Sequence, residues 1–257
     1  MHIVLVHGAG GTPSTWSAVT PVLEARGLPH TLVSNPLKSL RTDVANTLAV
    51  IDSVQGPVLL VGHSYGGAVI TNAGRHDAVQ GLVYIAAFAP DHNESVTDVV
   101  RRYEPAEVSK YMERGENGEW STGRGGDFWA EIGWDVPAEH RESLISETRR
   151  SENAIFDEES HDPAWQVLPS WYLVASRDRT LRPDAQRDMA ARAGAVTTSI
   201  DTSHFTPRVA PETVVDVIER AFRALASGNP AGKSAGHSAA EALVEHQADA
   251  VATHPAG

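Results

Sequence analysis

Residues 2–6 form a short β-branched apolar run, and runs of the same kind recur at 31–34, 58–61, 82–86, 171–175 and 196–200. Such runs, bounded by turn residues, read as strands buried in a sheet. Between them the pattern changes to helical spacing, over roughly 15–26, 41–53, 65–74, 183–193 and 211–226. Pro183 and Pro211 suit first helical turns, and Gly27, Gly56 and Gly194 follow helix or loop ends. Strand alternating with helix predicts the α/β class: a mostly parallel sheet of about six strands flanked by helices.

The alternation stops after Ala89-Pro90-Asp91 and resumes at Pro169-Ser170-Trp171. The interval, about 92–168, carries charged helical patches and an aromatic group, Trp120, Phe128, Trp129 and Trp134. It is expected to be a helical cap inserted after the fourth strand. Trp129 and Trp134 are candidates for lining a substrate pocket, and equally for gluing the cap to the sheet domain. Residues 1–226 are expected to form one domain with this insertion. Residues 227–257 are rich in Ala, Gly, His and Ser and read as a disordered tail.

Composition narrows the partners. The chain has 257 residues, enough for one sizeable core, and 41% of them are hydrophobic. Its net charge of −12 disfavours nucleic acid and anionic membranes and favours a neutral or apolar small molecule. The absence of cysteine removes disulfides and thiolate chemistry, and no His-Glu-x-x-His or comparable metal cluster occurs. No stretch reaches the ~20 apolar residues of a membrane span. The first strand begins at His2 with no signal-like stretch before it, so a cytoplasmic protein is the expectation.

The chemistry enters with Gly62-His63-Ser64-Tyr65-Gly66, which joins the strand at 58–61 to the helix at 65–74. Between a strand and a helix, Gly-x-Ser-x-Gly describes a sharp turn holding a serine hydroxyl out from the sheet. A serine is a poor nucleophile until an imidazole takes its proton, and the imidazole needs a carboxylate to fix its tautomer. Asp178 follows the strand at 171–175, and His204 follows the strand at 196–200. Asp91 and Asp201 are rival acids. Two backbone N–H groups, of Tyr65 and of Ala9 in the loop His7-Gly8-Ala9-Gly10-Gly11, are candidates to hold an oxyanion, although a plain tight turn would also explain these glycines. Phe205, directly after His204, offers an apolar wall. His7 and His63 read as structural or pocket-lining. Arg177 and Arg179 are candidates for touching substrate or for bracing a loop or the cap. Glu24, Asp43 and Asp52 read as solvated faces.

From Val4-Leu5-Val6-His7-Gly8 to about residue 226 the chain resembles the α/β-hydrolase superfamily, and within it the small capped serine esterases related to plant methylesterases, hydroxynitrile lyases and bacterial ester hydrolases. The subgroup resemblance rests on the immediate start at His7-Gly8-Ala9, on Trp16, and on Ala86-Ala87-Phe88-Ala89-Pro90-Asp91 leading into the cap. It implies that Ser64 is nucleophile, His204 base and acid, and Asp178 orienter, with Ala9 and Tyr65 forming the oxyanion hole and no cofactor needed. The expected reaction is carboxylic ester hydrolysis through an acyl-enzyme. The alternatives are other chemistry on the same triad (hydroxynitrile lyase action, amide or thioester cleavage) or a ligand-binding receptor on a hydrolase scaffold. Lyases of the resembling group carry a threonine where this chain has Gly8 and a lysine where it has Phe205.

Overall fold

A computed structural model describes residues 1–116, 118–123 and 125–228. Six strands, β1 (His2–Val6), β2 (His30–Val33), β3 (Val58–His63), β4 (Val79–Ile85), β7 (Ser170–Ala175) and β8 (Val196–Ile200), form one sheet in the order β2-β1-β3-β4-β7-β8. Every pairing in it is parallel. Two further strands, β5 (Met112–Arg114) and β6 (Trp120–Thr122), form a separate antiparallel hairpin.

Period-two alternation sorts the strand side chains into two layers. Val4, Val6, Leu60, Leu82, Tyr84, Tyr172 and Val174 point to one side, where they pack with α2 (Leu40–Ser53), α3 (Gly66–Ala73) and α8 (Pro183–Arg192). Ile3, Leu5, Leu59, Val61, Val83, Ile85, Trp171 and Leu173 point to the other, against α1 (Thr20–Ala25) and α10 (Pro211–Ala226). Both faces are covered, which is why these strands read as continuous apolar runs.

The expected helix at 15–26 is instead a 3-10 turn, Pro13–Trp16, followed by α1. Thr12 caps the turn by accepting from Ser14 N–H, and Trp16 drops into the core with no exposed surface. β4 begins at Val79, earlier than its apolar run, because Val58 of β3 pairs with Val79 across a bulge.

The segment between β4 and β7 carries α4 (Val96–Arg101), α5 (Phe128–Glu131), α6 (Ala138–Ser146) and α7 (Ala154–Asp157). It is not purely helical, since the β5–β6 hairpin sits within it. A third apolar cluster, Phe128, Trp129, Ile132, Val136 and Leu144, forms its own core and packs against Phe205 and Val209 of the segment that includes α9 (Thr206–Val209). Among the described residues no helix is long and apolar enough to cross a membrane. The tail expectation from residue 229 onward lies outside the described residues.

Candidate active site

The chain runs outward from β1 to β2, then returns across β1 to β3, so the sheet order reverses between β1 and β3. Loops leaving the carboxyl ends of two such strands diverge to opposite faces and leave a crevice between them. The loop of residues 7–11 follows β1 and Ser64 follows β3, which brings them together. A Cβ added at Gly8 would stand 2.7 Å from Ser64 Cβ and 3.3 Å from its Oγ.

Ser64 has a positive φ of 54°, a left-handed conformation that costs a non-glycine residue on the order of 1–3 kcal/mol. Its neighbours hold it there. Ser64 N–H donates to the Ile85 carbonyl at 3.3 Å, and the Ser64 carbonyl accepts from Phe88 N–H and Gly67 N–H, each at 3.0 Å. Gly62 and Gly66 permit the turn: a Cβ at Gly62 would lie 2.5 Å from the Gly66 carbonyl oxygen, and one at Gly66 would overlap the Val6 carbonyl. Backbone cannot move aside for either.

Asp178 and His204 leave the adjacent strands β7 and β8 and meet, with His204 Nδ1 2.6 Å from Asp178 Oδ2. Asp178 Oδ1 accepts from Thr180 N–H at 2.7 Å and Leu181 N–H at 2.9 Å, and Oδ2 also accepts from Gln186 Nε2 at 2.9 Å. With two backbone N–H groups and the Gln186 amide already donating to this carboxylate, the network assigns the imidazole proton to Nδ1 and leaves Nε2 for Ser64. Neither rival acid does this. Asp91 Oδ1 accepts from His92 N–H and Gln166 Nε2, and Asp201 lies 3.7 Å from Arg177 on the surface.

Among the described residues the backbone N–H groups of Ala9 and Tyr65 donate to no protein acceptor. Both residues, with Ser64 and His204, line a cavity of about 820 Å³. Its wall is largely apolar, with Phe88, Tyr103, Met112, Trp120, Phe156 and Phe205. Trp129 and Trp134 do not line it, which corrects the expectation that they bind substrate. Trp129 is 7% exposed, with its ring 5.7 Å from that of Phe205, and Trp134 lies under the Arg177 guanidinium at 4.0 Å. Both are cap glue. Arg179 Nη1 donates to the Glu131 carbonyl at 3.0 Å, so it too braces the cap.

His7 and His63 are buried. The Asn35 N–H donates to His7 Nε2 at 3.1 Å, so the network assigns the proton to Nδ1, which donates to the Gly8 carbonyl at 2.9 Å. Burial, with a smaller contribution from the Arg149 charge, holds His7 down to about 4. His63 Nε2 donates to the His204 carbonyl at 2.9 Å, and burial followed by the adjacent His204 holds it down to about 3. Both rings are therefore neutral at neutral pH.

Asp43 is not on a solvated face. It is fully buried and accepts from Tyr65 Oη at 2.9 Å and Leu37 N–H at 3.0 Å, and burial raises it to about 6. The signal overlooked in the sequence is its spacing, because Leu40, Asp43, Thr47 and Ile51 recur at helical intervals on the inward face of α2. Arg149 and Ser151, which contact the 7–11 loop, had no such signal. Among the described residues no cluster of His, Asp and Glu could hold a metal ion.

A profile of the Alpha/beta hydrolase family matches residues 3–217. A carbendazim hydrolyzing esterase of Nocardioides sp. (strain SG-4G) is 39% identical over 74 residues, 28% of this chain and 31% of that protein. A pyrethroid hydrolase of Sphingobium wenxiniae is 33% identical over 100 residues, 33% of this chain and 35% of that protein. Salicylic acid-binding protein 2 of Nicotiana tabacum is 32% identical over 117 residues, 40% of this chain and 45% of that protein. The chain thus spans about a third of the length of the first two curated relatives it matches. Among solved structures, a pyrethroid hydrolase from Sphingobium faniae JZ-2 superposes with a TM-score of 0.75 at 21% identity, covering 88% of this chain and 99% of that one, and so shares its fold. With the matched profile running from β1 into α10, the chain belongs to the alpha/beta hydrolase family.

Proposed function

We propose that the protein is a serine hydrolase that cleaves carboxylic esters of neutral, apolar small molecules. The observation that carries this reading is the His204 Nδ1 to Asp178 Oδ2 bond of 2.6 Å beside a serine in a strained strand-to-helix turn. In this reading Ser64 Oγ attacks the ester carbonyl carbon while His204 Nε2 takes its proton. The oxyanion is received by the Ala9 and Tyr65 N–H groups. The carbon–oxygen bond to the alcohol then breaks, and His204 returns the proton to the leaving oxygen. Water attacks the acyl-enzyme with His204 as base, releasing the acid and restoring Ser64. Asp178 keeps the imidazole in one tautomer and stabilises its charged form.

The cavity supports apolar substrates larger than acetate esters, with Phe205 as part of the wall beside the base. Relatives named as carbendazim and pyrethroid hydrolases are consistent with this range. Gly8 and Phe205 favour hydrolysis over hydroxynitrile cleavage, since neither can bind a cyanohydrin oxygen by a hydroxyl or hold cyanide by charge.

The test is an ester series. Each CH₂ buried is worth about 0.8 kcal/mol, roughly fourfold, so kcat/KM should rise by roughly fifteenfold over the two CH₂ groups from p-nitrophenyl acetate to p-nitrophenyl butyrate. Mandelonitrile should release no cyanide above background. A kcat/KM that falls from acetate to butyrate contradicts the apolar acyl site, and cyanide release without ester turnover contradicts the hydrolase reading.

A further inference from the structure

Every backbone polar group of Gly10 and Gly11 is engaged, and most of the partners come from the far end of the cap. Gly10 N–H donates to Ser151 Oγ at 2.9 Å, and the Gly10 carbonyl accepts from Arg149 N–H at 2.9 Å. The Gly11 carbonyl accepts from Arg149 Nε at 3.0 Å and Nη2 at 2.6 Å, while Gly11 N–H closes a turn onto the Gly8 carbonyl at 3.2 Å. Nη2 of the same guanidinium also donates to the Asn35 carbonyl at 3.0 Å, tying the loop after β1 to the loop after β2. The flanking cap residues extend the strap. Glu147 accepts from Ser14 Oγ at 2.7 Å and from Arg208 Nη2 at 2.5 Å, and Glu152 N–H donates to the Leu37 carbonyl at 3.0 Å.

Gly10 has a positive φ of 66°, and two adjacent glycines explore many conformations unless something holds them. The planar fork of Arg149 donates to the Gly11 and Asn35 carbonyls and reaches His7 Nε2, neutral acceptors on these loops. Ala9 N–H lies immediately before the held pair. An oxyanion donor lowers a barrier only if it is fixed in place before the charge develops.

We propose that Arg149 is a positioning residue, carried by the cap, that fixes the loop presenting Ala9 N–H to Ser64, with Ser151 as a second hold. This rests on the serine hydrolase reading of the site. The hold is also shared with the cavity wall. Trp120 of the hairpin exchanges backbone hydrogen bonds with Ser151, at 2.7 and 2.8 Å, so the residue that binds Gly10 is fastened to a residue that lines the substrate cavity.

The test compares wild type, Ser64→Ala, Arg149→Ala and Arg149→Lys on p-nitrophenyl butyrate, with a thermal melt of each. It also measures inhibition by an aryl trifluoromethyl ketone, which accepts a serine and forms an oxyanion, and by the matching methyl ketone, which does neither readily. Arg149→Ala should lower kcat by roughly tenfold to a hundredfold, as small misplacements of a catalytic group do, with KM little changed. It should weaken the trifluoromethyl ketone by the same factor and leave the methyl ketone unaffected. Arg149→Lys, which keeps the charge and one donor nitrogen but not the planar fork, should recover part of kcat, and so should added guanidinium with Arg149→Ala. Folded Arg149→Ala with wild-type kcat, or equal weakening of both ketones without rescue, overturns the proposal. If Arg149→Ala does not fold, Arg149→Lys and Ser151→Ala carry the same ketone comparison. Absence of Ser64-dependent turnover in the wild type would instead remove the hydrolase reading itself.

Discussion

At the scale of single residues, the side chain that does most to define the site is Asp178. Four donors converge on it, from Thr180, Leu181, Gln186 and His204, at 2.6 to 2.9 Å. An amide there would turn an NH₂ toward one of these donors and favour the wrong imidazole tautomer. Asp178→Asn is therefore expected to lower kcat on the order of 10⁴-fold, whereas Asp91→Asn, whose carboxylate accepts from His92 and Gln166 away from the base, should leave kcat near wild type. Steady-state kinetics on the two purified, folded variants decide it, and the reverse ranking would transfer the role to Asp91. Asp43 acts at one remove, accepting from the hydroxyl of Tyr65, a residue that lines the cavity.

At the scale of elements, the chain shows which features a sequence can carry. The turn around Ser64 was legible because its demands are local: Gly62 and Gly66 each stand where a Cβ would strike backbone. Asp178 and His204 were legible from their places just past β7 and β8, and the four central strands β1, β3, β4 and β7 from runs that stay apolar on both faces. The β5–β6 hairpin was not. Its strands are three residues each, Glu113 and Arg114 are exposed, and β6 also bridges to Ser151, a residue remote in sequence. The two cap tryptophans carried no sign of which side of the cap they face, and packing against Phe205 and Arg177 decided it. Arg149 sits beside Arg150 in a polar stretch that reads as solvated surface, and its partners, Gly11 and Asn35, are remote in sequence. Contacts of that kind leave no periodicity to read.

At the scale of the whole molecule, buried titratable groups couple stability to pH. Burial holds His7 to about 4 and His63 to about 3, from an ordinary 6.5, so the unfolded chain binds two protons that the folded one refuses. Their stabilising contribution is complete above pH 6.5 and is lost as pH falls toward 4. Asp43, raised by burial from 3.8 to about 6, works in the opposite sense, its contribution being complete below 3.8 and lost as pH rises through 6. Between these limits the net is one proton, so the three groups together make stability rise with pH by about 1.4 kcal/mol per unit. His63→Gln, which can still donate to the His204 carbonyl, should flatten the wild-type slope by about that amount in urea unfolding between pH 4.5 and 6. Identical slopes would contradict the burial of a neutral His63. The sheet order brings the ends of β1, β7 and β8 to the serine that follows β3, and the most direct test of the proposed catalytic role of that serine is ester turnover by Ser64→Ala. The account predicts a folded protein, with a melting temperature near wild type, whose kcat on p-nitrophenyl butyrate has fallen on the order of 10⁶-fold. Folded Ser64→Ala that keeps more than about a tenth of wild-type turnover would contradict it, since loss of the nucleophile of a serine triad cannot leave that much.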